Sequence, residues 1–195
     1  FVGHTYALTA FRASVIYTFP ISLRYSAADF NQITERFTET FVLPNLKIAG
    51  QDGRPDQQGL ACLESAMLVR IEDRLIEKSA RDLIIRASGG LMRTLIRLTQ
   101  RAAVNAIADG RDFIDVRAAE SATDEERADF IAGLSRDDYP ILLARHRDKQ
   151  LSGDEDVLRL LHARALLEYA NGEPWCDVHP MALAVVLERT QKPET

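Results

Sequence analysis

Two adjacent glycines, Gly89 and Gly90, separate two stretches of helical periodicity and run directly into Leu91-Met92-Arg93-Thr94-Leu95. Without a Cβ, glycine turns the chain sharply at little steric cost, so the pair predicts a tight reversal opening a helix from Leu91 to about Ala108. Arg93 then projects from a fixed point early in that helix, where its guanidinium can reach a phosphate. The same residues also read as an ordinary loop-to-helix junction with a solvated arginine. Only the rest of the chain separates the two readings.

Upstream, Val15-Ile16-Tyr17-Thr18-Phe19 is a β-branched and aromatic run stopped by Pro20, the pattern of a short strand buried on both faces of a parallel sheet. Ser26, with Asp29 three residues on, is a plausible N-cap for a helix whose apolar positions are Phe30, Ile33, Phe37 and Phe41. A second strand is expected over Phe41 to Ile48, with Pro44 at an edge or irregularity. Strand, helix and strand make a βαβ unit, and such a unit needs a larger parallel sheet than these residues supply.

Gly50-Gln51-Asp52-Gly53-Arg54-Pro55-Asp56 is the strongest turn cluster and places a domain boundary near residue 56. Helices follow: about Leu60 to Ile76, Ser79 to Arg86, Leu91 to Ala108, and a short one over Asp112 to Ser121, together a compact bundle over 57–121. Beyond it, Thr123 with Glu126 and Ser152 with Glu155 have capping-box spacing, and Ser135 with Asp138 a looser version. Asn171-Gly172 lies between two apolar-rich segments, a strong hairpin signal. Three helices and a hairpin, closed by a helix from Pro180 to Arg189, predict a winged helix over 122–195. The expected fold class is therefore mostly α, with a small α/β remnant over 1–56.

At 195 residues, 46% hydrophobic and 27% charged, the chain has the composition of a protein with a real core. Its apolar runs are far shorter than the roughly 18 to 20 residues that span a bilayer, and no secretory leader pattern opens the sequence, so a cytoplasmic location is expected. Cys62 and Cys176 fall in different modules, which suits a reducing compartment. The opening Phe1-Val2-Gly3-His4 reads as the middle of something longer.

A truncated βαβ, a helical bundle carrying Gly-Gly-x-x-Arg, and a winged helix follow the order of the C-terminal half of AAA-type P-loop ATPases. The sequence resembles, more narrowly, bacterial ATP-binding proteins of the AAA and STAND-like class. The resemblance rests on Val15 to Leu23, Phe41-Val42-Leu43-Pro44, Ala87-Ser88-Gly89-Gly90, and Leu167 to Pro180. It implies that Thr18, at the end of the first strand, is a polar sensor orienting the attacking water; the residue reading is a strand-filling threonine. It implies that Arg93 is the lid arginine contacting phosphate next to Gly89 and Gly90. Arg36 falls where many relatives keep an arginine finger, although a solvated helix charge is the plainer reading.

The departure from the family is as informative. No Gly-x-x-x-x-Gly-Lys-Ser/Thr and no apolar strand ending in paired acids occur in the chain. The phosphate loop and the Mg²⁺-holding acids would precede Phe1. ATP and Mg²⁺ are thus expected in the intact protein and none in the isolated chain, which should be inactive alone. The partner implied is the missing P-loop half, with a homo-oligomer or a protein held by the winged helix also open.

An alternative is a stand-alone winged-helix DNA-binding or adaptor protein. Charge opposes DNA: residues 123–195 carry nine Lys/Arg against fifteen Asp/Glu, a balance of −6, and the third helix of the module starts Asp154-Glu155-Asp156 with only Arg159 and Arg164 in opposition. Cys176-x-x-His179 has the spacing of a metal half-site, but the chain has no second Cys/His pair to complete a structural zinc site. Tyr169 and Trp175 are expected as a cross-strand core pair.

Overall fold

The computed structural model describes residues 13–35, 37, 39–170 and 172–191. Two short helices, α1 (Ser22–Tyr25) and α2 (Ala27–Thr34), precede irregular chain over 39–47 and the 50–56 turn. Then come α3 (Gln57–Leu68), a 3₁₀ turn (Asp73–Leu75), α4 (Lys78–Ala87), α5 (Met92–Ala108) and α6 (Val116–Ala132). The C-terminal part holds α7 (Asp138–Asp148), α8 (Glu155–His162), the hairpin β1 (Leu166–Tyr169) and β2 (Trp175–Val178), and α9 (Pro180–Gln191).

The bundle forms because its helices bury small and branched residues at helical spacing. Leu95, Leu98, Ala102 and Ala106 of α5 recur every three or four residues, and Ala118, Ala119 and Ala122 of α6 join them in one core with Ile84 and Ile85 of α4. Alanine on both sides of the α5–α6 seam lets the two backbones approach closely. Asp56 and Asp115 cap α3 and α6 by accepting from Gly59 and Ala118 backbone N–H groups, at 2.8 and 3.0 Å. A second core gathers Tyr139 and Leu142 of α7, Val157, Leu160 and Leu161 of α8, and Leu166, Cys176, Val178, Ala182 and Val186. Phe130 near the end of α6 packs against both cores.

Three expectations are corrected. The segments 15–19 and 41–48 are not strands, and the parallel remnant of a P-loop sheet is not formed among the described residues; the parallel pairing there is one isolated bridge, Ile76 to Ile114. Strand composition becomes a strand only beside a neighbour that accepts its hydrogen bonds, and Ile16, Phe41 and Leu43 stand 94%, 81% and 94% exposed. The helix after Ser26 ends at Thr34, so Phe37 and Phe41 lie beyond it; the Ser26 hydroxyl bonds to Asp29 Oδ2 and caps no backbone amide. Finally, Thr123 begins no helix. Its hydroxyl donates to the Ala119 carbonyl inside α6, which runs unbroken across the expected boundary at 121/122 because nothing there interrupts it.

Bounds differ as well: the helix expected over Leu60 to Ile76 ends at Leu68, and the one expected over Asp112 to Ser121 starts at Val116. The Ser152 hydroxyl bonds Asp154 Oδ2 rather than capping α8. The hairpin is as expected. The hairpin pairs antiparallel in the register Tyr169 to Trp175 and Leu166 to Val178, and the Tyr169 and Trp175 rings stack with centroids 4.7 Å apart. Asp138 reaches back to the Ser135 N–H at 2.8 Å, as the looser cap predicts.

The tightest packing lies at the glycines. Gly89 and Gly90 both have positive φ, 64° and 84°, and both are buried. A Cβ on Gly90 would lie 1.7 Å from the Leu46 carbonyl oxygen, and one on Gly59 only 1.9 Å from that of Lys47. The 46–47 backbone is therefore clamped in a slot between α3 and the start of α5. Gly110, also at positive φ (70°), has nothing within 4 Å of its missing Cβ. Gly90→Ala is expected to cost more than about 3 kcal/mol, because it adds a backbone clash to the φ penalty, whereas Gly110→Ala costs only about 1–2 kcal/mol. Urea denaturation of the two variants measures the difference, and equal losses would contradict the slot.

Candidate functional site

A cleft of about 420 Å³ opens where the start of α5, the N-terminal segments and the hairpin module meet. Pro20, Ile21, Leu43, Leu91 and Leu161 supply apolar wall, and Arg93, Arg164, His162 and Glu168 the polar groups. Arg93 is the second residue of α5 and exposed, fixed by the diglycine turn as its sequence position implies. Arg164 follows α8, and its nearness to Arg93 in space could not be read from the sequence, which connects it only to that helix.

The charges around this cleft do not balance locally. Arg97 pairs with Glu126, while Arg101 reaches Glu125, Glu126 and Asp129, so the acids of α6 are taken up along the α5–α6 seam. Burial, followed by the like charges of Arg164, Arg101 and Arg93, lowers the Arg97 pKa from its ordinary value. Neither Arg93 nor Arg164 has an ion-pair partner among the described residues. Two guanidinium groups thus line one cleft without an ion-pair partner of their own, the Glu168 carboxyl on its wall being taken by Arg24, and such a pair can hold an anion.

Glu168 lines the cleft while its side chain is only 3% exposed. Its Oε1 accepts from the Tyr25 hydroxyl at 2.7 Å and from Arg24 at 3.3 Å, while Oε2 has no hydrogen-bond partner among the described residues. Burial pushes the carboxyl above its ordinary range, opposed by Tyr25 and Arg24. Asn45 donates to the Glu168 carbonyl at 3.0 Å, tying the 39–47 segment to the hairpin.

The remaining expected residues fare differently. Gly89 and Gly90 are required by protein packing: a Cβ on Gly89 would meet Leu167 Cδ1 at 2.6 Å and Pro180 Cδ at 3.1 Å, and its carbonyl accepts from the Tyr169 hydroxyl at 3.0 Å. Thr18 is exposed in irregular chain rather than at a strand end, and it is not part of the cleft wall. Arg36 lies outside the described residues. Of the two basic residues open to a DNA backbone, Arg159 is committed to buried Asp138 and to Asp156, which raise its pKa.

Cys176 and His179 are each engaged. The Cys176 thiol donates to the Gln150 carbonyl and burial pushes its pKa up to about 12, while His179 Nδ1 accepts from the Met181 N–H. Among the described residues no group of three His, Cys, Asp or Glu is arranged to hold a metal ion, and no helix is long and apolar enough to cross a membrane. Comparison of the chain with family models, curated proteins and solved structures finds no match.

His179 is the hidden member of this junction. It is 1% exposed, its ring lies 4.9 Å from that of Phe130, and a Cβ on Gly89 would come within 3.3 Å of its Nε2. Burial, then the charges of Arg164 and Arg97, lower its pKa to about 4. The unfolded chain, with an ordinary imidazole near 6.5, therefore binds more protons than the fold between those values. The stability held by neutral His179 is full above pH 6.5 and is lost as pH falls toward 4, on the order of 3 kcal/mol in all. Glu168, with a raised pKa, contributes the opposite slope above its ordinary value. His179→Asn keeps an acceptor for Met181, and the variant is expected to flatten the acid limb across pH 4–6.5 in urea titrations. An unchanged limb would remove His179 as its cause.

Proposed function

We propose that this chain is the C-terminal part of an ATP-binding protein of the AAA and STAND-like class, in which the 57–121 bundle acts as a lid and the region after it as a winged-helix regulatory or protein-interaction module. One observation carries the reading: Arg93 sits without an ion partner on the first turn of a rigid helix, at a cleft shared with the hairpin module. The exposed Ile16, Phe41 and Leu43 support it, since strand-forming residues left in solvent suit a sheet supplied by a P-loop half.

ATP and Mg²⁺ belong to the intact protein. Arg93 fits the phosphate end of a nucleotide, but the chain holds no loop or acid pair fit for Mg²⁺. What Arg93 does in this proposal is hold phosphate oxygens through paired N–H groups, so that nucleotide state biases lid position. The lid cannot move independently of the hairpin side, because Gly89 packs against Leu167 and Pro180. The chain alone does not hydrolyse ATP in this reading.

In a protein carrying the P-loop half, Arg93→Ala is expected to lower ATP turnover at least about tenfold with little change in melting temperature, the loss of a charge-assisted contact worth roughly 1.4 kcal/mol or more. Turnover that survives while stability falls would make Arg93 structural. The alternative, a DNA-binding module, is opposed by the commitment of Arg159 to Asp138 and by the −6 balance. Residues 1–195 should bind duplex DNA no better than the roughly 10⁻⁴ to 10⁻⁶ M of non-specific contact at physiological salt. Sequence-selective binding tighter than about 10⁻⁷ M in an anisotropy titration would favour that alternative.

A further inference from the structure

Helices α7 and α8 end alike. Each is followed by a basic residue in the left-handed conformation, Lys149 at φ 60° and Arg164 at φ 62°, a position that glycine fills at least cost. At α8 the chain closes with Arg164 N–H to the Leu161 carbonyl at 3.0 Å and Ala165 N–H to the Leu160 carbonyl at 2.9 Å. Backbone geometry thus asks for glycine at both places, and a charged side chain stands there instead.

For Lys149 the fold shows the return. Its ammonium reaches Asp177 Oδ2 on β2 at 2.6 Å, beside His146, whose Nδ1 lies 2.6 Å from Asp177 Oδ1, so the charge ties the end of α7 to the hairpin. Arg164 has no such partner among the described residues. It lines the cleft that Arg93 lines from the bundle side, while Glu126 and Asp129 of α6 are engaged by Arg97 and Arg101. Strain without an internal counterpart, at a cleft, is the pattern of a residue held for an external ligand. Glu168 on the same wall would oppose an anion, but Arg24, 3.3 Å from its Oε1, offsets that charge.

We infer that Arg164 is a second anion-binding residue, which with Arg93 clasps one compact polyphosphate across the junction between the helical bundle and the hairpin module. This deepens the phosphate site proposed above and rests on that reading only for the role of Arg93. A compact phosphate chain suits a partly enclosed cleft with apolar walls better than a duplex, whose backbone would also meet Asp154, Glu155 and Asp156 of the neighbouring helix start. Bound there, the anion touches both modules at once. Occupancy then couples them through charge as the diglycine turn couples them through packing.

The test titrates the 195-residue chain with inorganic triphosphate and, separately, with ATP, reading the arginine Nε–H resonances by NMR. Saturable shifts are expected at both Arg93 and Arg164, with millimolar affinity in the absence of a phosphate loop. Arg164→Ala should weaken triphosphate binding about tenfold, and Arg164→Lys should recover part of the loss. Arg164→Gly should raise the melting temperature by about 2–4 °C while losing the affinity, a split that a merely structural arginine would not give. ATP binding at least as tightly as triphosphate identifies a nucleotide as the source, whereas tighter triphosphate identifies a free polyphosphate. Loss of binding in Arg93→Ala but not in Arg164→Ala overturns this inference and leaves the lid reading standing. An absence of saturable shifts at Arg164, or a DNA duplex that outcompetes triphosphate there, also overturns it.

Discussion

The structure depends on a backbone passing where no side chain can stand. Residues 46 and 47 thread between Gly59 and Gly90, each close enough for a single Cβ to strike a carbonyl oxygen. One residue earlier, Gly89 meets Leu167 and Pro180. Three parts far apart in sequence, the N-terminal segment, the bundle and the hairpin module, are thereby locked at one point. Since packed interiors deform little, displacement of any one part is felt by the other two. The helix that carries Arg93 starts from this point.

Electrostatics follows the same geometry. Joining α5 to α6 sets Arg97 and Arg101 along an acidic face made of Glu125, Glu126 and Asp129, and the hairpin then brings Arg164 against the same end of the bundle. The seam satisfies its own charges and leaves Arg93 and Arg164 over. His179 stays neutral beneath them because a proton there would be both desolvated and repelled. Excess positive charge at the rim and a neutral buried imidazole below are two effects of one assembly.

Much of the fold was legible in local chemistry. The 50–56 turn, helices α4 and α5, the Asn-Gly hairpin with its Tyr169–Trp175 pair, and the closing helix all rest on signals within a few residues. The failures had one character: a local pattern was given a partner that the described residues do not provide. Val15 to Phe19 and Phe41 to Ile48 have strand composition, yet strand formation depends on hydrogen bonds to another segment. Thr123 and Glu126 have capping-box spacing, yet with alanines before them and no breaker between, the helix simply continues and Glu126 turns to Arg97.

The sequence by itself determined the turns, the helical periods and the place of Arg93 on its helix, because glycine freedom and apolar spacing act over a few residues. It also determined the acidic balance of the C-terminal region, which requires only counting. Tertiary structure alone decided that the diglycine packs against Leu46, Leu167 and Pro180, that Arg159 is spent on Asp138, and that Arg164 shares a cleft with Arg93. Those facts join residues far apart along the chain, from Asp138 and Arg159 to Gly89 and Pro180, and no local propensity encodes which of them meet.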